Sequence, residues 1–390
     1  MAAATPVLFV PAPQADVAGI GTFLPAGSAA ERMPGTAHLL EHVLFDQHFR
    51  HGWPERQGGR IRALTARFWT AYLWSGPAAE AHAALRQMQG LFEIARLQPA
   101  LVEHHRRILR LELEQRHAEQ KLLEPGMRLN AEAFAGTGFD TSPLGTPEGI
   151  AAVTPEALEA FRQQCYRPRD AAVIVAAPRQ VIEAMGRQGV VIDPDNPAMP
   201  PAMAPCGGSH PSRAGQPRFR QIVAESGENR HLLFACLGTA ALPLAPALAA
   251  SRLFAHWLMR NTPGSLVARL QPHAVAPADI TLSCELTPAG QPVLSGSIAL
   301  RERDADAVMP SVEATLRDLA RIEIDTPLLD QLKLRQANTQ PPLWSAEGLL
   351  QLGAGIATYG AAAALDAEGQ RSRLSVAEMR RFFHAFQRLD

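Results

Sequence analysis

A stretch rich in proline and glycine near the middle of the chain places the strongest limit on what the chain can fold into. Residues 193–217 have the sequence DPDNPAMPPAMAPCGGSHPSRAGQP. Proline fixes φ and removes a backbone donor, so neither a helix interior nor a central strand can run through this stretch. With 390 residues the chain is also longer than one ordinary domain. We therefore predict two domains, residues 1–192 and 218–390, joined by a linker at 193–217.

The two halves share a loose order of predicted elements, in which strands come first and helices follow in groups. Strand patterns occur at residues 5–10, 17–24, 66–74, 170–178, 219–226, 231–238 and 279–300. Helix patterns occur at residues 31–45, 80–96, 99–121, 154–165, 244–260, 305–321, 326–337, 345–358 and 375–388. Strands beside strands favour an α+β fold over alternating βαβ units. We predict two tandem α+β domains of homologous type, each a mainly antiparallel sheet with helices on one face.

Composition excludes several classes of partner and site. The formal net charge is −1 with a sequence pI near 6.9, so no basic excess indicates a nucleic-acid or anionic-membrane partner. The four cysteines are far apart and form no CxxC pair, which indicates neither a thiolate metal site nor a disulfide framework. The N-terminus lacks a basic region, and no apolar run is long enough to cross a bilayer. We expect a cytoplasmic protein.

A short helical pattern carries the chemistry. The sequence GTAHLLEH, residues 35–42, places His38 and His42 four residues apart with Glu41 before the second histidine. Residues four apart share a helix face, so the two imidazoles can bind one metal ion while Glu41 stands beside a metal-bound water. The order HxxEH is the inverted form of the HExxH zinc-protease motif. Two histidines that simply pack on an amphipathic helix are the alternative.

A third ligand is predicted on the helix at residues 98–120. At about 100° per residue, Glu112 falls within the apolar stripe of that helix, whereas Glu103 and Glu114 point away from it. A carboxylate inside an apolar stripe is costly unless it is paired or binds a metal ion. Glu112 is therefore the predicted ligand, and Glu119, one heptad later on the same stripe, is the alternative. His105 lies on the same stripe, which makes it a candidate neighbour of the ligands.

Several motifs together resemble a known family. GTAHLLEH followed by LF, GGRIRALTARFWTAY at residues 58–72, the ungapped spacing from Tyr72 to Glu112, and SPLGTPEGIAAVTPEALEAFRQQCYRPRDAAVIVAA at residues 142–177 are similar to pitrilysin-type zinc peptidases. These inverzincins include insulin-degrading enzyme and the mitochondrial processing peptidase. The resemblance covers roughly residues 5–190, and the second half is similar only in the order of its elements.

The resemblance implies a zinc endopeptidase of half-length form. It implies Zn²⁺ held by His38, His42 and Glu112, with Glu41 as general base, and a peptide bound as an added strand along a sheet edge. It also implies substrate contacts in the region of the Ala-x-Thr and Thr-x-Tyr motifs, and the candidate substrate-binding residues are Arg62, Ala63, Thr65 and Tyr72. The implied substrate is a small peptide or a precursor peptide.

Three positions depart from the family pattern. Arg62 replaces the usual Asn, and His105 stands where a second Glu is common one heptad before Glu112. In the second half, GSLVARLQPHAVAP has Gln and Pro where active relatives carry an Arg and a Tyr that hold the substrate, and Arg269 stands one turn too early. We therefore predict a heterodimer with a related subunit that lacks HxxEH. The alternative is a scaffold or pairing subunit without activity.

Overall fold

The computed structural model describes residues 7–13, 16–49, 58–185, 190–193, 196–197, 215–227, 229–301 and 303–387. Most of the predicted linker lies outside these ranges. The chain divides into two compact units: the first comprises Met1–Glu114, Thr141–His210 and Pro341–Leu365, and the second comprises Gln115–Asp140, Pro211–Gln340 and Asp366–Asp390. Each unit takes segments from both halves of the chain, and the linear bounds 1–192, 193–217 and 218–390 remain a prediction.

The first unit contains a mixed, mainly antiparallel sheet. Its strands are β1 (Val7–Ala12), β2 (Val17–Leu24), β3 (Arg60–Thr65), β4 (Thr70–Pro77), β5 (Ala172–Pro178), β6 (Val190–Asp193) and β7 (Asn196–Pro197). Their order in the sheet is β3-β4-β2-β5-β1-β6-β7. Only β1 with β5 and β1 with β6 pair in parallel among the described strands. Among the described strands β3 therefore forms one edge of the sheet, next to β4 alone.

The second unit contains a fully antiparallel sheet. Its strands are β8 (Arg218–Ser226), β9 (Asn229–Leu237), β10 (Ile280–Leu286) and β11 (Pro292–Ala299), in the order β10-β11-β9-β8. Both sheets are antiparallel or mainly so and both units are rich in helices, which confirms the predicted α+β class.

The helices begin close to the capping residues and prolines that predict a helix start in the sequence. Thr154, for example, accepts a hydrogen bond from the backbone N–H of Ala157 and is followed by proline in the first turn. In chain order the helices are α1 (Thr36–Phe49), α2 (Ala81–Gly90), α3 (Pro99–Glu119), α4 (Leu123–Ala133), α5 (Pro147–Ala152), α6 (Pro155–Cys165), α7 (Arg179–Ala184), α8 (Leu244–Leu258), α9 (Leu266–Leu270), α10 (Ala305–Asp318), α11 (Thr326–Thr339), α12 (Ala346–Tyr359), α13 (Ala361–Arg373) and α14 (Val376–His384). No helix of the described residues is both long enough and apolar enough to cross a bilayer.

Both faces of the first sheet are covered by helices. On one face, residues of α1, α2, α3 and α6 pack with side chains of the strands in one large core. On the other face, α12 packs Leu349, Leu352 and Ile356 against Phe23 and Leu73. The sequence analysis predicted helices on one face only. The continuous apolar runs of β1 and β5 are typical of strands buried on both faces, but they do not indicate which helix covers the far face, because α12 lies far away in sequence.

An aromatic cluster forms the core of the second unit. Phe254 of α8 contacts Phe382 and Phe383 of α14, with ring centroids 5.7 and 5.1 Å apart, and stacks on Phe386. Trp257, one turn after Phe254, joins the cluster against Phe383. Aromatic side chains of this size bury a large area each and dominate the stability of a core.

Candidate functional site

The helix that carries the two motif histidines is anchored at its first turn. Glu31 accepts hydrogen bonds from the backbone N–H groups of Gly35 and Ala37, both at 2.8 Å. These donors have no partner within the helix, so an upstream carboxylate satisfies them and complements the helix dipole. Gly35 has φ of +98°, a conformation that favours glycine. The start of α1 is thereby fixed in position.

His38, His42 and Glu112 converge. The Nε2 atoms of His38 and His42 lie 3.9 and 3.5 Å from Glu112 Oε2. The two imidazole rings are 4.8 Å apart between centroids. One donor atom from each of the three residues lies within 4.8 Å of the others. The three predicted positions thus lie together, although about fifty residues of chain separate α1 from α3.

This donor set fits a tetrahedral metal ion. Two ligands bound to zinc at about 2.0–2.1 Å stand about 3.3 Å apart in tetrahedral geometry, close to the separations of the donor atoms here. Burial lowers the pKa of His42, although the Glu112 carboxylate acts in the opposite direction. A lowered pKa favours the neutral imidazole, which is the form that binds a metal ion.

Glu41 lies beside the converging residues and is 7% exposed. Its Oε2 accepts a hydrogen bond from Thr65 Oγ1 at 2.8 Å. Burial raises the pKa of Glu41 to about 7; the hydrogen bond from Thr65 lowers it, and the negative charge of Glu112 raises it. A carboxyl group with a pKa near neutrality can accept and release protons at the pH of most cells.

The other candidate residues of β3 and β4 divide between the two faces of the sheet. Ala63 pairs with Tyr72 and Thr65 with Thr70, whereas Arg62 pairs with Leu73. Successive strand residues face opposite sides, so Ala63 and Thr65 face α1 while Arg62 projects from the far side. Tyr72 is fully buried, with its ring 5.6 Å from that of Phe49. The structure therefore brings Ala63 and Thr65, but not Arg62, to the side of the converging residues.

A buried hydrogen bond between a histidine and an aspartate joins α3 to α1. His105 Nε2 lies 2.7 Å from Asp46 Oδ2, and both residues are under a tenth exposed. The ring of His105 also contacts that of His42, with centroids 5.7 Å apart. Asp46 lies one turn after His42 on α1. The pair thus joins α1 to α3 directly behind the second histidine.

Glu119, the alternative ligand, is not in the group of converging donor atoms among the described residues. It is exposed near the end of α3 and accepts a hydrogen bond from Gln115 at 2.7 Å. It belongs to the second unit, whereas the converging residues belong to the first. Arg269, in the second unit, pairs with Asp318 at 2.8 Å.

Sequence reasoning did not single out Asp46 and Glu31. Asp46 follows His42 by four residues, so the helical period could have indicated it once His105 was placed opposite. Glu31 precedes the Gly35-Thr36 start of α1 by four residues, and a carboxylate near a helix start is a recognisable signal. Asp46 and His105, together with the exposed His104, form a second group of possible donor atoms.

Part of the chain is similar in sequence to known proteins. The family model described as insulinase, peptidase family M16, matches residues 7–146. The β subunit of the mitochondrial-processing peptidase of Lentinula edodes is 28% identical over 163 residues, 40% of this chain and 34% of that protein. Coenzyme PQQ synthesis protein F of Klebsiella pneumoniae is 30% identical over 191 residues, 45% of this chain and 24% of that protein. The matches thus span about a third of these relatives' length, or less.

Solved structures extend the similarity of fold to nearly the whole chain. A protease from Helicobacter pylori superposes with a TM-score of 0.72 at 18% identity, covering 97% of this chain and 94% of that one. A peptidase M16 inactive domain from Pseudomonas fluorescens superposes with a TM-score of 0.68 at 14% identity, covering 97% and 92%. The match to the insulinase family, peptidase family M16, thus covers residues 7–146, and the similarity of the rest of the chain to solved protease and M16 structures is one of fold.

Proposed function

We propose that this chain is a zinc-dependent endopeptidase subunit that cleaves a small peptide or a precursor peptide. The observation that carries the proposal is the convergence of two imidazole nitrogens and one carboxylate oxygen within 4.8 Å of one another. A buried carboxyl group with a pKa near 7, Glu41, lies next to them. Two His, one Glu and an open position are the donor set of hydrolytic zinc sites.

In this proposal each residue has one role. His38, His42 and Glu112 would hold the metal ion, and the chemistry that the ion would supply is Lewis acidity toward the peptide carbonyl and toward water. The Glu41 carboxylate accepts a proton from the attacking water and delivers it to the leaving amine. Thr65 donates a hydrogen bond to Glu41 Oε2, which fixes the orientation of the carboxylate and ties it to β3.

A peptide would bind along β3. This strand is a sheet edge and pairs only with β4 among the described strands. A free edge offers backbone donors and acceptors to an extended peptide, which reads the backbone more than the side chains. Ala63 and Thr65 lie on the α1 side of β3, so a peptide on this edge would run beside Glu41. Tyr72, being buried, would support the strand from within.

Pairing with a second subunit completes the proposal. The second half of the chain lacks the Arg and Tyr of the family pattern, and the nearby Arg269 pairs with Asp318. A related subunit without HxxEH would supply the missing substrate contacts. One relative is itself named a subunit of a processing peptidase, which supports both the pairing and the processing role.

The test measures metal content and hydrolysis in the same preparation. Protein that has never been exposed to chelator should contain about one zinc per chain by elemental analysis. Quenched fluorescent peptides should be cleaved within the chain, slowly by this subunit alone and at least about tenfold faster when a related subunit without HxxEH is co-expressed. Treatment with a chelator should abolish cleavage, and added zinc should restore it.

The alternative is a scaffold subunit without activity, which the inactive M16 domain among the similar structures favours. Stoichiometric zinc without cleavage of any peptide, even with the partner present, would support this alternative. Absence of zinc would contradict the proposed metal site itself. Full activity of the chain alone would contradict only the need for a partner.

His105 is proposed to position His42 and thereby to strengthen metal binding. Replacing His105 with Ala removes the ring that packs on His42 and the hydrogen bond between His105 Nε2 and the buried Asp46 carboxylate. Loss of such an outer contact typically costs 10–100-fold in metal affinity. Competition for zinc with a chromophoric chelator should therefore show a drop of about 10–100-fold for the H105A variant.

The neighbouring residue provides the matched control. His104 is exposed and adjacent to His105 on α3, so the H104A variant removes an imidazole without opening the buried pair. Zinc affinity within about twofold of the wild type is expected for H104A. An equal loss in both variants would contradict the positioning role and would assign both histidines to the second donor group instead.

A further inference from the structure

A cavity of about 610 Å³ lies in the first unit on the side of the sheet that α12 covers. The lining residues on which the argument depends are Arg60, Arg62, Leu73, Trp344, Ala346 and Leu349. Pockets of about 300–1,000 Å³ commonly hold small organic ligands. The cavity is therefore large enough for one.

The cavity is separate from the candidate metal site. Arg60 pairs with Ser75 and Arg62 with Leu73 on β4, so both arginines project from one face of the sheet. Thr65, which binds Glu41, projects from the other face. The sheet itself thus lies between the arginine side chains and the converging histidines, and a ligand of the cavity would not touch the proposed catalytic residues.

Charge and polarity define what the cavity can hold. Its walls are mostly apolar, with Leu73, Leu349 and Trp344 on the α12 side. Its two charged lining residues, Arg60 and Arg62, are exposed and form no ion pair or hydrogen bond through their side chains with any described residue. Among the residues that the structure describes, no acidic side chain lines it. Two guanidinium groups at the rim of an apolar cavity are complementary to a planar anion that carries an apolar body.

We propose that this cavity binds an apolar carboxylate: a molecule with one carboxylate head, held by Arg60 and Arg62, and an aromatic or aliphatic body in contact with Trp344 and Leu349. The C-terminus of a peptide that ends in an apolar residue has this chemistry, and so does a free organic acid. The shared feature is the carboxylate next to an apolar group.

Calorimetric titration of the full chain tests the proposal with three probes. N-acetyl-Leu-Phe carries a free carboxylate, its C-terminal amide does not, and 4-phenylbutyrate is a simple organic acid. We expect saturable binding of at least one acid at millimolar concentration or below, and at least about tenfold weaker binding of the amide. Binding of the peptide acid alone assigns the site to peptide C-termini, and binding of 4-phenylbutyrate as tightly or more tightly assigns it to free organic acids.

Affinities measured with variants of the chain show where the acid probes bind. The double variant R60Q/R62Q should lose at least about tenfold in affinity for the acid. The matched double variant R218Q/R220Q, which removes the same two charges from β8 in the other unit, should bind as the wild type does. Ala346 lines the cavity at an exposed position, so A346F should block both acids by filling the space.

Four results of these titrations would overturn the proposal, and a fifth comes from the EDTA control. The four are equal binding of the amide, an equal loss in R60Q/R62Q and R218Q/R220Q, unchanged binding in A346F, and the absence of saturable binding up to about 10 mM. Titrations are repeated in EDTA, since a carboxylate can also ligate a metal ion. Binding that persists in EDTA supports the cavity, and binding that disappears assigns the acids to the metal site and overturns the proposal.

Discussion

Replacing Glu41 with Gln is expected to leave zinc bound and to lower kcat/KM for peptide hydrolysis by about 10²–10⁴-fold. Gln keeps the shape of the side chain and can still accept the hydrogen bond from Thr65, but it cannot take a proton from water. The three proposed metal ligands are untouched, so zinc content by elemental analysis should equal that of the wild type. The measurement is kcat/KM with a quenched fluorescent peptide, with the partner subunit present.

E41Q should also change how the thermal stability of the chain depends on pH. The pKa of Glu41 in the folded chain is about 7, above its ordinary value of 4.5. A raised carboxyl pKa stabilises the folded state below pH 4.5, and this contribution is lost as the pH rises through about 7. Gln does not titrate, so in metal-free protein the Tm of E41Q relative to the wild type should be higher at pH 8 than at pH 5.

A control separates loss of the base from loss of structure. Glu148 is exposed in the first turn of α5, and E148Q is the same chemical change at a site away from the converging residues. It should keep both zinc and activity. Substantial turnover in E41Q with zinc bound would remove Glu41 from the mechanism, and loss of zinc in E41Q would show that the residue serves the metal site instead.

Replacing Glu112 with Gln is expected to remove zinc and, with it, hydrolysis. Outer contacts of a metal site already contribute 10–100-fold to affinity, so loss of a direct anionic ligand should exceed about 100-fold. A neutral amide also leaves the positive charge of the ion less compensated. Zinc content after gel filtration and affinity from chelator competition measure the effect, and thermal scans confirm that the variant is folded.

Two neighbours on the same helix serve as controls. Glu114 is exposed two residues further along α3, and Glu119 was the alternative ligand of the sequence analysis. E114Q and E119Q should both retain zinc within about twofold of the wild-type affinity. Loss of zinc in E119Q with retention in E112Q would reverse the assignment of the third ligand.

Much of the fold was predictable because its signals are local. The strand at residues 17–24 matches β2, and Thr154 with Pro155 marked the start of α6 correctly. β3 and α13 were missed. β3 has a partly exposed pattern with two arginines, and α13 begins with a run of alanines that has no strong apolar stripe. Edge strands and weakly amphipathic helices give little periodic signal.

The candidate site was predictable where helical spacing alone decides. His38 and His42 share a face of α1 because they are four residues apart. The apolar stripe of α3 contains Val102, His105, Leu109 and Leu113 as its buried residues, with Glu112 partly buried beside them. The 3.6-residue period therefore indicated Glu112, and not Glu103 or Glu114, as the carboxylate that lies with the two histidines, and its role as a metal ligand stays a prediction.

The sequence by itself determined the two imidazoles of α1, the carboxylate of α3 and the α+β class, because each depends on a periodicity within one segment. The tertiary structure alone decided which partners meet: Thr65 with Glu41, Asp46 with His105, and α12 with the far face of the first sheet. It also set Arg62 on the side away from Glu41, since the register between β3 and β4 fixes that orientation. Contacts between distant segments depend on strand register and helix packing over the whole unit, and no local pattern encodes them.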